Sequence, residues 1–223
     1  MVDLAVPRPP RLPRAIRGIV FDLDGTLVDS YEPIAESLNH ARAQVGRPAL
    51  ALEIVRQRVG RGLETLIAEL VGPEHVDAGV RAFRERYAEV HERTRILPGV
   101  RPTLRRLAER GLRMTVASNK PARFGEAIVR RLGLAPYLLD VEGPDRAGVT
   151  KPDPLLIRRC LCSMELEPHQ VVYVGDMVLD VESAARADVP VVLVAGGSSS
   201  TADLRATGQV VLERFESLLG LLL

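Results

Sequence analysis

The chain lacks the features that mark a membrane protein or a nucleic-acid-binding protein. No apolar stretch approaches the roughly 20 residues that a transmembrane helix needs, and the leucine-rich run at 218–223 is too short to span a bilayer. A formal net charge of +1 does not supply the broad basic surface that binds nucleic acid or anionic lipid. We therefore expect neither nucleic acid nor a membrane among its partners.

Cysteine is also scarce, since Cys160 and Cys162 are the only two in the chain. Both fall in a predicted helix, where a separation of two residues puts them on different faces. That placement disfavours a disulfide bond or a shared metal ion. We therefore expect reduced, packed thiols in a cytoplasmic protein.

Lysine is nearly absent, because Lys120 and Lys151 are the only lysines among 30 basic residues. The lysine ammonium is a compact point charge and the arginine guanidinium a larger planar fork, so a crowded site can accept one and reject the other. Lys151 is therefore a candidate site residue. For Lys120, which precedes Pro121 at a predicted helix start, a solvated surface position is an equally good interpretation.

What the chain does have is the composition of a globular protein of one or two domains. Its 223 residues are 46% hydrophobic and 26% charged, which is enough apolar content to bury a core. Residues 1–15 differ, because they are rich in proline and arginine. We predict that this segment is a disordered basic tail and not a signal peptide, since the apolar run that follows it is short.

The most informative segment lies at residues 19–30. Its apolar run Ile19–Phe21 predicts a strand covered on both faces, as in a parallel sheet. The run ends in Asp22 and Asp24, two carboxylates separated by one residue. Buried acids need a cation or a proton to neutralise them, and such sheets bind ligands at the carboxyl ends of their strands. The pair therefore indicates a hard metal ion or acid/base chemistry.

Three further polar clusters follow predicted apolar strands. They are Ser118 with Asn119 after 113–117, Lys151 after 138–141, and Asp176 with Asp180 after 171–174. In a parallel sheet, strand ends of this kind meet at one edge. We therefore expect all four clusters to form a single site.

Residues 30–97 lack strand-like alternation and show helical spacing instead. Apolar residues recur every three or four positions in the stretches 34–45, 63–70 and 76–90. We predict an all-helical domain here, called the helical insertion below, between the first strand and the rest of the sheet. The segments 16–29 and 98–223 would then form the core.

After the helical insertion, predicted strands and helices alternate. Strands are expected at 113–117, 138–141, 171–174 and 190–194, and helices at 102–110, 122–132, 154–164 and 178–187. This alternation is typical of a doubly wound, mostly parallel sheet with helices on both faces. The predicted fold class is therefore α/β, with a Rossmann-like core and an inserted all-helical cap domain.

The string Asp22-Leu-Asp24-Gly25-Thr26 after a strand resembles the first motif of the haloacid dehalogenase-like superfamily. Its extension to Ser30 resembles the phosphoglycolate phosphatase-like branch, and the later clusters follow the order of the superfamily's other motifs. The resemblance covers the chain from about residue 16 to residue 194. It implies that Asp22 is the nucleophile and Asp24 the general acid/base. The chemistry agrees, since a carboxylate can form an aspartyl-phosphate and a second carboxyl group can move protons.

The same resemblance assigns roles to the other clusters. The implied phosphate-binding residues are Gly25, Thr26, Ser118 and Asn119. The implied Mg²⁺ ligands are the Asp22 side chain, the Asp24 carbonyl and Asp176, with Asp180 in support. Lys151 would neutralise charge between nucleophile and phosphate. Mg²⁺ takes oxygen ligands and keeps several waters, so few carboxylates suffice.

The branch also carries a helical cap that closes over the site and reads the non-phosphate end of the substrate. Gly62 precedes the second helix of this cap, where free backbone N–H groups favour anions. Arg61 could hold a carboxylate or a second phosphate there, and a solvated surface arginine is the alternative. Asp188 stands where the family places glycine, so that turn is expected to differ. The loop 196–200 receives no role.

These features predict a Mg²⁺-dependent phosphatase of a small phosphorylated metabolite, with 2-phosphoglycolate favoured. Inorganic pyrophosphatase and sugar-phosphate phosphatase or mutase activities are alternatives, because one fold supports many chemistries. A dehalogenase is disfavoured, since the superfamily's dehalogenases lack the second acid and the Mg²⁺ that Asp24 and Asp176 imply. A catalytically silent interaction protein on the same fold is the non-enzymatic alternative. The sequence leaves the oligomeric state open.

Overall fold

The computed structural model describes residues 16–222, so the tail predicted at 1–15 lies outside the described residues. The helices are α1 (Tyr31–Gln44), α2 (Leu52–Arg56), α3 (Leu63–Leu70), α4 (Val76–Val90), α5 (Val100–Glu109), α6 (Ala122–Arg131), α7 (Pro144–Ala147), α8 (Leu155–Met164), α9 (Val178–Arg186), α10 (Thr201–Ala206) and α11 (Ser217–Leu222). The strands are β1 (Gly18–Phe21), β2 (Val28–Asp29), β3 (Arg95–Ile96), β4 (Arg113–Ala117), β5 (Asp140–Glu142), β6 (Val171–Gly175), β7 (Val191–Val194) and β8 (Val210–Leu212). Across residues 16–222, every helix falls short of the length and apolarity that crossing a bilayer requires.

Six strands form one parallel sheet in the order β5-β4-β1-β6-β7-β8. Strand β1 lies near the centre, where Phe21 pairs with Val116 of β4 and with Val174 of β6. The carboxyl ends of β1, β4 and β6 therefore lie side by side at one edge. This is the doubly wound α/β fold that the alternation predicted.

The two faces of the sheet are covered by different helices, because successive side chains of a strand point to opposite faces. Ile19 and Phe21 of β1 face one apolar cluster, which also contains residues of α5, α6 and α11. Val20 faces the other cluster, with residues of α8, α9 and α10. Burying one such aliphatic or aromatic side chain stabilises the fold by about 1.5–3 kcal/mol.

The helical insertion contains α1 to α4, which surround an apolar cluster of their own. Strands β2 and β3 pair antiparallel where the insertion leaves and rejoins the core, with Val28 opposite Ile96. Helices α1, α3 and α4 cover the three stretches with helical spacing. Helix α2 was not predicted, since its five residues carry only one buried apolar side chain, Val55.

Most boundaries in the core lie within two residues of the predictions, and the differences have local causes. Strand β5 begins at Asp140, and Leu139 before it faces solvent with 60% of its surface exposed, although its N–H donates to the Met114 carbonyl of β4. The edge strand β8 was not predicted, since three half-buried residues give too short a pattern. Asp188 adopts the left-handed conformation at φ 59°, so aspartate makes the turn that glycine would make.

The two cysteines lie on different faces of α8 and are not bonded to each other, as expected. Cys160 is buried, and its thiol donates a hydrogen bond to the carbonyl of Val116 at 3.4 Å. Cys162 is exposed, so the expectation that both thiols are packed is wrong for this one. Its position two residues on turns it away from the sheet.

Candidate active site

Four polar clusters converge at the carboxyl edge of the sheet. Asp22 directly follows β1, Ser118 follows β4 and Asp176 follows β6, while Lys151 lies in the loop before α8. Asp22, Asp176 and Asp180 each offer a carboxylate oxygen, and these three atoms lie within 4.8 Å of one another. All three acids are buried.

The Asp180 carboxylate is already occupied by protein donors. Its Oδ2 accepts the backbone N–H groups of Asp176 at 3.1 Å and Met177 at 3.0 Å. Its Oδ1 accepts the Lys151 ammonium at 2.8 Å and the Tyr173 hydroxyl at 3.2 Å. Asp180 therefore positions the start of α9 and the lysine, which agrees with a supporting role.

Asp176 is held in one orientation by two hydrogen bonds. The Thr26 hydroxyl donates to its Oδ1 at 2.8 Å, and the Ser198 N–H donates to its Oδ2 at 2.7 Å. Glycines pack against the carboxylate, since a Cβ at Gly25 would lie 2.5 Å from Oδ2 and a Cβ at Gly197 would lie 2.0 Å from it. These four neighbours fix where the carboxylate points.

The Gly25 N–H and the Thr26 hydroxyl both donate hydrogen bonds to other groups of the protein. The Gly25 N–H donates to the Val28 carbonyl at 2.8 Å, and the Thr26 hydroxyl donates to Asp176. Their role as phosphate-binding residues, which the motif implied, stays a prediction. In this structure, Thr26 holds Asp176 through its hydroxyl, and Gly25 packs against the same carboxylate.

The buried Asp22 carboxylate lies close to one ammonium and to two other carboxylates. Its Oδ1 lies 2.9 Å from the Lys151 Nζ, yet it has no well-directed hydrogen bond among the described residues. Burial raises the pKa of Asp22 from 3.8 to about 6, the Lys151 charge opposes this, and the Asp180 charge adds to it. Burial and then the Asp22 charge also raise the pKa of Asp176 well above its usual range. A divalent cation between these carboxylates would relieve both effects, so the residues fit a Mg²⁺ site.

Lys151 is the only ammonium in contact with these buried acids in the described chain. Its Nζ contacts Asp22, Asp180 and the Tyr173 hydroxyl, the last at 3.1 Å. Burial by itself would lower the pKa of Lys151, but Asp180 and Asp22 raise it above its usual value. The residue is 3% exposed, so the ammonium is largely shielded from solvent.

Asp24 lies between two donors. The Ser30 hydroxyl donates to its Oδ1, and the Lys120 ammonium lies 3.0 Å from its Oδ2. Lys120 also donates to the Tyr87 hydroxyl of α4 at 2.9 Å. The Lys120 side chain is 7% exposed, so the interpretation as a solvated helix-start residue is wrong.

Ser118 and Asn119 follow β4, as expected, but their side chains are used differently. The Ser118 hydroxyl oxygen accepts the Lys120 N–H at 3.3 Å, which leaves its own O–H available to donate. The Asn119 amide donates to the Gly60 carbonyl at 2.8 Å, and its carbonyl accepts the Lys151 N–H at 2.6 Å. The Asn119 side chain therefore ties the helical insertion to the lysine loop.

An open cavity lies between the sheet edge and the helical insertion. Asp22, Asp24, Ser118 and Lys151 line its floor, and Gly62 and Arg84 lie at the insertion side. The roof is apolar and consists of Ile34, Val59, Leu63, Leu66, Phe83, Tyr87 and Phe124. An anionic group held on the floor would thus carry the rest of its molecule against hydrocarbon.

Arg61 does not line this cavity. It is exposed and borders a separate depression that Glu69 and Met177 also line. Its neighbour Gly62 does lie at the cavity, where it begins α3. The arginine that reaches the cavity is Arg84 of α4, whose side chain is 46% exposed and lies 3.3 Å from Glu64.

The comparison with known families agrees with the motif order. Residues 19–194 match the family described as haloacid dehalogenase-like hydrolase. The chain belongs to the haloacid dehalogenase-like hydrolase family. This confirms the family prediction that the motifs of the sequence supported.

Relatives named as phosphoglycolate phosphatases are similar to this chain over most of its length. A phosphoglycolate phosphatase from Pseudomonas putida is 35% identical over 190 residues, which are 81% of this chain and 69% of the relative. A phosphoglycolate phosphatase from Yersinia pseudotuberculosis is 33% identical over 215 residues, which are 92% and 93% of the two chains. These relatives confirm the predicted branch and the prediction of a phosphoric monoester hydrolase.

Solved structures show the same fold. A haloacid dehalogenase-like hydrolase from Streptococcus pneumoniae superposes with a TM-score of 0.83, covering 92% of this chain and 97% of the other. The two sequences are 20% identical, so the likeness is one of fold. The six-stranded parallel sheet with helices on both faces is thus a fold that experimental structures of this hydrolase family share.

Several residues at the site of this hydrolase were not predicted. Ser198 holds Asp176 and also hydrogen-bonds to the Tyr31 hydroxyl at 2.9 Å. The Arg56 guanidinium donates to the Gly197 carbonyl at 3.2 Å and lies 4.8 Å from the centre of the Tyr31 ring. The loop 196–200 therefore joins Asp176 to the helical insertion. Its glycine and serine content was visible in the sequence, but its partners were not.

Proposed function

We propose that the chain is a Mg²⁺-dependent phosphatase that hydrolyses a small phosphorylated metabolite through an aspartyl-phosphate. One observation supports this most directly: the Asp22 carboxylate lines the cavity floor and is held there with its Oδ1 2.9 Å from the Lys151 ammonium. A carboxylate in that position can attack a phosphorus atom. Family membership and the phosphatase relatives support the same reaction class.

The reaction would proceed in two displacements. In the first, an Asp22 oxygen forms a bond to phosphorus while the bond to the leaving oxygen breaks, and Asp24 gives its proton to that oxygen. In the second, the Asp24 carboxylate takes a proton from water as the water oxygen attacks phosphorus and releases Asp22. A single carboxyl group can serve as acid and then as base in this way.

The metal ion would be held by the Asp22 and Asp176 carboxylates and the Asp24 carbonyl. Bound there, Mg²⁺ would supply positive charge beside the phosphoryl oxygens. Thr26, Ser198 and Gly25 support this assignment, since they hold Asp176 with a carboxylate oxygen within 4.8 Å of one of Asp22. Lys151 would neutralise the remaining charge between Asp22 and the phosphoryl group.

We assign the phosphoryl oxygens to the Ser118 hydroxyl and the Asn119 backbone N–H. The Ser118 O–H remains available as a donor, whereas both side-chain groups of Asn119 are engaged. Closure of residues 30–97 as a cap over the core would exclude water from these contacts. The hydrogen bond from the Asn119 side-chain amide to the Gly60 carbonyl supports such closure, because it joins the core to the helical insertion beside the cavity.

2-Phosphoglycolate is the first substrate to test, because the relatives carry the name of its phosphatase. Inorganic pyrophosphate and sugar phosphates remain alternatives, since one fold supports many substrates. We also propose a cytoplasmic location, which the two free cysteines support.

The experiment is a phosphate-release screen over phosphorylated metabolites with Mg²⁺. We expect turnover that EDTA abolishes and that Asp22→Asn lowers by at least about a thousand-fold. Beryllium fluoride should bind the Asp22 carboxylate of the wild type as an analogue of the aspartyl-phosphate, and it should not bind Asp22→Asn. Turnover of wild-type size in Asp22→Asn would refute the mechanism. A chain that binds Mg²⁺ but releases no phosphate from any substrate would favour the silent interaction protein.

A further inference from the structure

The roof of the cavity points to the chemistry of the leaving group. Directly above Asp22 and Asp24, the helical insertion presents Ile34, Leu63, Leu66 and Phe83, and Phe124 adds an apolar wall from α6. We propose that the site selects phosphate monoesters whose alcohol part is a hydrocarbon chain or an aromatic ring, in preference to small anions such as phosphoglycolate. This inference rests on the proposed function and specifies its substrate class.

The cations that line the cavity do not favour a second anionic group on the substrate. Lys151 is paired with Asp22 and Asp180, and Lys120 is paired with Asp24. Arg84 is the remaining cation at the cavity wall, and it is half exposed beside Glu64. A carboxylate carried into the roof would therefore lose water without gaining a buried cationic partner, which is unfavourable.

The aromatic side chains form a wall suited to an apolar group. The sequence contains only four phenylalanines and four tyrosines, yet three of these eight line this cavity. The Phe83 and Tyr87 rings stack with centres 5.6 Å apart, and Phe124 meets Tyr87 edge-on at 5.4 Å. Packing of this kind keeps the wall rigid, so a bound hydrocarbon would not have to order it.

The number of methylene groups that the roof covers sets the expected gain in kcat/KM. Each methylene group removed from water contributes enough binding energy for roughly a three- to four-fold gain in affinity. A hydrocarbon that fills the roof in the transition state would raise kcat/KM by the same factor for each carbon. The phosphoryl contacts on the floor would be identical for every member of such a series.

A series of straight-chain alkyl monophosphates tests the proposal with the wild-type chain. Ethyl, butyl and hexyl phosphate have leaving groups of nearly equal reactivity. Differences in kcat/KM among them therefore measure the contacts of the alkyl chain with the roof. We expect kcat/KM to rise roughly three-fold for each methylene until the cavity is filled, and to exceed that of phosphoglycolate for hexyl phosphate. A flat series, or phosphoglycolate as the most efficient substrate, would overturn the inference.

A pair of variants assigns the effect to the roof. Leu63 is half-buried, begins α3 and lines the cavity, so Leu63→Asn should flatten the alkyl series. Leu52 begins α2 in the same insertion, is 45% exposed and lies outside the cavity lining, so Leu52→Asn should leave the series steep. Thermal unfolding of both variants checks that each is folded. Equal slopes in folded Leu63→Asn and wild type would overturn the inference.

The screen also separates this inference from the proposed function. If no monoester releases phosphate with Mg²⁺, the proposed phosphatase activity is wrong and the inference falls with it. If phosphoglycolate or a sugar phosphate is hydrolysed efficiently while the alkyl series is flat, the phosphatase is confirmed and only the apolar leaving-group preference is wrong.

Discussion

The ammonium of Lys120 lies 3.0 Å from the Asp24 carboxylate and 2.9 Å from the Tyr87 hydroxyl. One charged group thus contacts the proposed acid/base and a helix of the insertion together. Burial by itself would lower the pKa of Lys120, but Asp24 and then Tyr87 raise it above its usual value. Lys120 therefore stays charged at neutral pH, and its position depends on where α4 lies.

We expect Tyr87→Phe to lower kcat about five-fold, because it removes one hydrogen bond of about 1 kcal/mol while it keeps the aromatic ring. Lys120→Met should cost about ten- to a hundred-fold, since Asp24 then keeps only Ser30 as a donor. Steady-state kinetics on the best substrate give both values. Tyr137→Phe, away from the cavity, is the control. Equal kcat in Tyr87→Phe and Tyr137→Phe would show that the hydroxyl contact does not matter.

The raised pKa of Asp22 implies that the metal-free site destabilises the fold. The unfolded chain releases this proton near pH 3.8 and the folded chain near pH 6, so stability falls as pH rises through that window. At neutral pH, Asp22→Asn should therefore increase the free energy of unfolding in EDTA by about 1–3 kcal/mol. Urea denaturation across the window measures this. A constant difference between variant and wild type from acid to neutral pH would contradict it.

Lys151→Arg should lower kcat/KM by about a hundred-fold or more despite the unchanged charge. The Nζ atom lies 2.8–3.1 Å from Asp180, Asp22 and the Tyr173 hydroxyl, and a planar guanidinium fork cannot place a single nitrogen at all three contacts as a compact ammonium does. The exposed pair Arg186–Glu182 offers a control, because Arg186→Lys makes the reverse exchange at the surface. Near-normal efficiency in Lys151→Arg would show that only the charge is needed.

If phosphoglycolate is a substrate, its carboxylate should depend on Arg84 more than on Arg61. Arg84 lines the cavity, whereas Arg61 faces a separate depression. Because Arg84 is half exposed, Arg84→Gln should cost about 1 kcal/mol, or roughly five-fold in kcat/KM for phosphoglycolate. The alkyl phosphates should change little. A loss confined to Arg61→Gln would restore the assignment that the sequence favoured.

Much of the sheet could be predicted, because each strand of the core carries a clear local signal. Strand β4 matches its predicted range of 113–117, and β1 was visible as an apolar run that ends in two acids. Residues at strand ends need only the sheet topology to be brought together. This is why Asp22, Ser118 and Asp176 were found at one edge.

The partners of the site residues could not be predicted, since they depend on how distant segments pack. The sequence indicated that Tyr87 is a core residue of α4. Its helical spacing would be the same whether or not its hydroxyl contacts Lys120. Thr26 belongs to a familiar motif, yet its hydroxyl is used by Asp176, which lies 150 positions later. The prediction that Arg61 holds a substrate anion rested on its place beside Gly62. A position in the sequence does not show in which direction a loop side chain points.

The enclosure of both lysines has a chemical consequence. Lys151 is 3% exposed and the Lys120 side chain 7% exposed, and they are the only lysines in the chain. Acylating and reductively methylating reagents require an accessible, unprotonated amine, and the acid partners of both groups oppose loss of the proton. Lysine labelling should therefore be slow while the proposed cap is closed and faster when the cap is lifted from the core. The labelling rate, followed by mass spectrometry, would test whether the proposed cap opens.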